Sequence, residues 1–165
     1  MRDNQKFILY MRNFIFGAED SLVSTVGLLS GIASVNTPRA TIILTGIILI
    51  FVEGFSMAIG SFLSEETTDE SPLGHRLPFV ETFTAGAVML VTYFATGLIP
   101  LAPYLFLEPK PAFPLSIILT LISLLMLGLI SAKLLRTNMA RSALRMTILG
   151  GLAVVIGITV GGLVK

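Results

Sequence analysis

Five stretches of this chain run about 20 residues or more with very few charges: Phe14 to Val35, Ala40 to Phe62, Val80 to about Ile99, Pro114 to Leu135, and Arg145 to Val164. A helix needs roughly 20 mostly apolar residues to cross the ~30 Å hydrocarbon core of a bilayer, and each stretch is too long and continuous for an ordinary strand. Pro72, Pro78, Pro100, Pro103, Pro109, Pro111 and Pro114 fall outside these spans or at their edges, as helix breakers should. The expectation is an all-α polytopic membrane protein: one transmembrane domain over residues 1–165, with five transmembrane helices. Composition agrees, since 54% of the 165 residues are apolar and 13% charged, against about a quarter charged in soluble domains. The formal charge is +1, which leaves no basic surface for nucleic acid. With no Cys and one His, disulfides, iron–sulfur clusters and Cys/His zinc sites are excluded, so any metal would meet oxygen or thioether ligands.

Orientation follows from Lys and Arg, which are retained on the cytoplasmic side in short loops. Eight of them (Arg2, Lys6, Arg12, Arg76, Lys133, Arg136, Arg141, Arg145) fall on the N-terminal side and three (Arg39, Lys110, Lys165) on the other. The expected N-terminus is therefore cytoplasmic, in a multi-pass protein of the plasma membrane if the cell is prokaryotic. Arg12, Glu19 and Asp20 interrupt the apolar run a cleaved signal peptide would need. One connection is compositionally odd: Ser64 to Glu70 holds Glu65, Glu66, Asp69 and Glu70, followed by Pro72, Gly74, His75 and Pro78. Two readings stand for it, a solvated turn kept out of the membrane by its acids and a vestibule that gathers cations.

Within the spans, an ionised group costs a few kcal/mol even on lenient insertion scales. On the first helix Glu19 and Asp20 point about 100° apart. Asp20 continues into Ser24, Gly27 and Gly31, a small and polar stripe of the kind that faces another helix, while Glu19 sits nearer the headgroups. On the second, Gly46, Ile50, Glu53, Met57, Gly60 and Ser64 form one face carrying a carboxylate and a thioether. At 1.5 Å per residue, Asp20 lies some 22 Å from the outer end at Val35, and Glu53 about 20 Å from the outer start at Ala40. In an antiparallel pair the two carboxylates share a depth, and they repel unless a divalent cation or a proton intervenes. That competition is what proton-coupled transport requires. Oxygen ligands suit Mg²⁺, Mn²⁺ and Fe²⁺, and a Met57 thioether tilts the choice toward transition metals.

The remaining spans say less. Glu81 reads as a helix N-terminal acid favoured by the dipole, or as part of the mouth of a path. The fourth helix, without charge from Leu115 to Ala132, reads as scaffold or lipid-facing. Gly157 and Gly161 on the fifth match small-xxx-small packing. An intramembrane aspartyl protease would need two membrane aspartates, and Asp20 is the single one within a span; no nucleophile–base set appears either. The alternative to a transporter is a noncatalytic membrane subunit that packs partners through Gly-rich faces.

Two segments carry a family resemblance. Phe16-Gly17-Ala18-Glu19-Asp20-Ser21-Leu22-Val23-Ser24-Thr25-Val26-Gly27-Leu28-Leu29-Ser30-Gly31 and Glu53-Gly54-Phe55-Ser56-Met57-Ala58-Ile59-Gly60-Ser61-Phe62-Leu63-Ser64 resemble the first- and second-helix signatures of the vacuolar iron transporter family. The resemblance implies export of Fe²⁺ or Mn²⁺ from the cytoplasm in exchange for protons, without a resident cofactor, by a homodimer whose metal path is lined by the first two helices. It maps the family's intramembrane aspartate onto Asp20 and its pathway methionine onto Met57. The sequence departs from the pattern in three places. Ser21 stands where Gly usually follows the aspartate. Leu49 stands where the second-helix acid usually lies, with Glu53 one turn before the Met. The glutamate-rich metal-binding domain usually inserted after the second helix is reduced to about Ser64 to Phe79, so metal capture is either lost or left to Glu65, Glu66, Asp69, Glu70, Glu81 and His75.

Overall fold

The computed structural model describes the backbone of residues 2–70 and 78–164 and the side chains of residues 6–66 and 78–164. Five helices occupy them: α1 (Arg2–Ala33), α2 (Arg39–Glu70), α3 (Phe79–Phe106), α4 (Pro109–Leu134) and α5 (Met139–Leu163). All five are long and apolar enough to span a membrane, and the chain is an integral, multi-pass membrane protein. α1 is the most enclosed and packs against the other four helices. α3 packs more extensively on α1 and on α2 than those two pack on each other, so the two helices of the resemblance are joined largely through a third.

Several helix ends differ from the sequence expectation. α3 runs through Pro100 and Pro103 to Phe106 instead of stopping near Ile99, because in an apolar surrounding the backbone keeps every helical hydrogen bond that it can. The exposed C-terminal carbonyls of α3 are met by Arg39, whose Nε donates to the Tyr104 carbonyl (2.8 Å) and whose guanidinium donates to that of Leu105 (2.5 Å); a cation there also complements the helix dipole. α4 begins at Pro109, earlier than expected, and carries Pro114 inside it. α5 begins at Met139, where the Asn138 side chain caps the backbone N–H of Arg141 at 2.9 Å. Before it, Arg136 takes a left-handed φ of 54° and Thr137 N donates to the Ala132 carbonyl, closing α4 in a tight antiparallel hairpin.

The largest correction concerns α2. It continues helically to Glu70, so Glu65 and Glu66 ride on a helix and not on a turn. At about 48 Å for 32 residues, α1 and α2 both outreach the hydrocarbon core, and their N-terminal-side ends stand beside one another. Of Asp69 and Glu70 only the backbone is described, and His75, Arg76 and Lys165 lie outside the described residues.

On the opposite side, α1 and α5 meet backbone to backbone. A Cβ on Gly31 would come within 2.8 Å of the Gly157 carbonyl, and one on Gly157 or Gly161 would collide with the carbonyls of Gly27 and Gly31. Gly27 itself faces Ala153, and Gly46 of α2 makes room for Leu101 of α3. These glycines pack as their spacing implies; Gly60 has nothing within 4 Å. α4 packs through one stripe, its Ser116 hydroxyl donating to the Pro100 carbonyl at 2.6 Å and its Leu124 fully buried, and leaves Ile118, Ile122 and Met126 exposed.

Because methylene-scale overpacking costs about 1–3 kcal/mol, Gly157→Ala is expected to lower the melting temperature of the detergent-solubilised protein. Gly151→Ala, with no atom within 4 Å of the added Cβ, is expected to leave it level or raise it slightly. Equal melting temperatures for the two variants would contradict the α1–α5 contact.

Candidate metal pathway

The polar interior is built around α3. Tyr93, 0% exposed, reaches between α1 and α2. Its hydroxyl donates to Glu53 Oε2 and lies 2.8 Å from the Ser24 hydroxyl. A phenol has one proton; with that proton given to Glu53, Ser24 is the donor to Tyr93. The relay therefore runs from Ser24 on α1 through Tyr93 on α3 to Glu53 on α2. The backbone of Tyr93 is held as well, because Ser21 donates to its carbonyl at 2.7 Å. Ser21 fits there because Gly97 lies opposite: a Cβ on Gly97 would come within 2.7 Å of the Ser21 hydroxyl. The departure at Ser21 is thus matched by a bare helix surface on α3.

Asp20 stands one turn before Ser24, within Coulombic reach of both Glu53 and Glu19. Asp20 and Glu53 thus feel one another's charge, and Glu53 is the one that Tyr93 bonds. Met57 lies elsewhere on the stripe. It lines a cleft of about 1000 Å³ on the N-terminal side, together with Glu19, Asn13, Ser61, Gly60 and Met89. Asp20 and Glu53 do not line that cleft. Glu19, read from sequence as a headgroup residue, faces it and also feels the positive charge of Arg145. Among the described residues, no group of three or more His, Cys, Asp or Glu side chains comes together in a form able to hold a metal ion.

The rim of the cleft is tied by polar contacts. Arg12 pairs with Glu65, and Ser61 donates to the Asn13 side-chain carbonyl. Asn13 in turn donates to the Leu9 carbonyl at 3.0 Å. Lys6 pairs with Glu81 at 2.8 Å, and Glu81 sits in the first turn of α3 at 8% exposure. Two of the acids expected to capture metal, Glu65 and Glu81, thus face cations of α1, whereas Glu66 is exposed.

Sequence reasoning missed Tyr93, Met89 and the ion pairs. The signal for the first two was present: Met89, Tyr93 and Gly97 recur every four residues on α3, one of them a hydroxyl-bearing ring inside an apolar span. The pairs join residues as far apart as Lys6 and Glu81, so no local spacing announces them.

A cation half buried beside a buried carboxylate is worth more than an exposed pair and less than a fully buried one. Lys6→Met is expected to destabilise by about 1–2 kcal/mol on that scale, and much less in a Glu81→Leu background. A double-mutant cycle on thermal melts with no coupling between positions 6 and 81 would contradict the pair.

The comparisons with known proteins bear on the whole chain. The family model described as the VIT family matches residues 11–78 and 73–162. In Arabidopsis thaliana, vacuolar iron transporter homolog 4 is 28% identical over 93% of this chain and 83% of its own length. Homolog 3 is 29% identical over 93% and 82%, and homolog 2 is 25% identical over 93% and 84%.

Proposed function

From the premise that the chain belongs to the VIT family, we propose that it is a metal-ion transporter carrying divalent transition metals, Fe²⁺ or Mn²⁺, out of the cytoplasm in exchange for protons. The observation that carries the reading is that Asp20 and Glu53 lie within Coulombic reach of one another in a region where charge is costly. Two such carboxylates repel. A divalent ion relieves the repulsion, and so does a proton, so the two compete for one place. The names of the Arabidopsis relatives, vacuolar iron transporter homologs, support iron as cargo. The oxygen set suits Mn²⁺ as well.

The cleft gives the route in. Its lining of Glu19, Met57, Met89 and Ser61 offers carboxylate, thioether and hydroxyl groups that favour transition metals over Mg²⁺. We place this side in the cytoplasm, because eight of the eleven Lys and Arg residues belong to it. Capture uses the rim acids: an arriving cation competes with Arg12 for Glu65 and with Lys6 for Glu81.

Among the described residues, no three acids of one chain come together, and such an ion takes roughly six ligands. We propose a homodimer that brings Asp20, Glu53 and Met57 of two copies to one path. Ser56 and Gly60 of α2 are exposed, and such small residues let a second helix approach closely.

In proteoliposomes, the wild type is expected to take up Mn²⁺ and Fe²⁺ with a coupled pH change. Asp20→Asn and Glu53→Gln are each expected to lower uptake at least as far as the 10- to 100-fold that loss of an outer-shell partner costs in metal sites. Met57→Leu is expected to weaken apparent affinity and spare the maximal rate. Wild-type flux in both carboxamide variants would overturn the mechanism.

A further inference from the structure

The bond between Tyr93 and Glu53 has a consequence for which ions the pathway accepts, and it rests on the metal-transport reading above. A free carboxylate can grip a cation through both oxygens. Glu53 does so less readily, because Oε2 already accepts the Tyr93 hydroxyl proton, and that bond weakens the oxygen's remaining lone pair as a ligand. The phenol cannot turn aside. Tyr93 is fully buried, its carbonyl is held by Ser21, and its hydroxyl is backed by Ser24. Its ring lies against the bare backbone of Gly54, where an added Cβ would come within 3.2 Å of it. Oε1 is therefore the stronger ligand oxygen for an ion.

Ca²⁺ takes six to eight oxygens and commonly uses a carboxylate bidentately, whereas smaller ions close to octahedral geometry are served by single oxygens. We propose that Tyr93 is a selectivity-determining residue: by bonding to one oxygen of Glu53 it favours monodentate over bidentate ligation by that carboxylate and so discriminates against Ca²⁺ in favour of Mn²⁺ and Fe²⁺. Tyr93 acts through Glu53 and is a positioning residue. Ser24 supports it by donating to the phenol oxygen, which polarises the phenol toward Glu53.

The test is Mn²⁺ uptake into proteoliposomes under rising external Ca²⁺, with the wild type, Tyr93→Phe and Ser24→Ala. Tyr93→Phe keeps the ring and frees Oε2. Half-inhibition by Ca²⁺ is expected at a concentration lower by on the order of tenfold, the factor a hydrogen bond to a charged group is worth. Ser24→Ala keeps the Tyr93–Glu53 bond without its support and is expected to shift in the same direction by less. An unchanged Ca²⁺-to-Mn²⁺ ratio in Tyr93→Phe overturns the proposal. If that variant fails to fold, an unchanged ratio in Ser24→Ala overturns it. A lost packing contact would lower the rate for all ions without moving the ratio. Absence of Mn²⁺ uptake in the wild type would instead count against the transport reading. The selectivity claim is then decided by displacement of bound Mn²⁺ by Ca²⁺, followed by electron paramagnetic resonance on the solubilised wild type and Tyr93→Phe.

Discussion

A carboxylate inside a membrane bundle must be given a donor, and in this molecule the donor comes from a third helix. Tyr93 bridges the helices that carry Glu53 and Ser24, and much of the surrounding sequence serves that placement. Gly54 and Gly97 lack side chains where the ring of Tyr93 and the hydroxyl of Ser21 need space. Ser21 holds the Tyr93 backbone. A Cβ at Gly17 would meet the Met89 sulfur at 2.9 Å, so the same face of α3 stays close to α1 one turn earlier. The Ser24–Tyr93–Glu53 relay joins three helices, and buried polar groups that find partners help to specify a structure instead of disturbing it.

The two sides of the bundle are held by different chemistry. On the side away from the N-terminus, glycines of α1 and α5 touch through their backbones, and Arg39 secures the end of α3. On the N-terminal side, α1 meets α2 and α3 through Lys6–Glu81, Arg12–Glu65 and Asn13–Ser61, around the cleft that contains Glu19 and Met57. Close van der Waals contacts have no substitute in lipid, whereas ion pairs can exchange partners with water or an arriving cation. The side lined by exchangeable contacts is the one through which an ion would reach Asp20 and Glu53.

The fold was largely legible in the sequence, because the bilayer imposes a length and a polarity that hydropathy reports directly. Where the reading stopped short, the reasons are specific. Pro100 and Pro103 ended the expected third span, yet lipid favours keeping the helix intact past them. The acids after Ser64 looked like a turn, and the helix continued because Glu65 has Arg12 of α1 as a partner. Gly27, Gly31, Gly157 and Gly161 packed as their spacing implied, since small-xxx-small is a local signal. The shared depth of Asp20 and Glu53 was also readable, from the helix rise. Tyr93 was not, because its role depends on α3 lying between α1 and α2, an arrangement that no single helix encodes. Glu19, adjacent to Asp20 in sequence, lines the cleft, and Asp20 does not.

The central claim is that the ion binds beside Asp20 and Glu53 while Tyr93 remains on the other oxygen of Glu53. An anomalous difference map from crystals of the full chain soaked in Mn²⁺ tests it most directly. The account predicts a peak in contact with Glu53 Oε1 and the Asp20 carboxylate, with the Tyr93 hydroxyl still bonded to Oε2. Peaks confined to Glu65 and Glu66 at the end of α2, with none in the bundle, would contradict it.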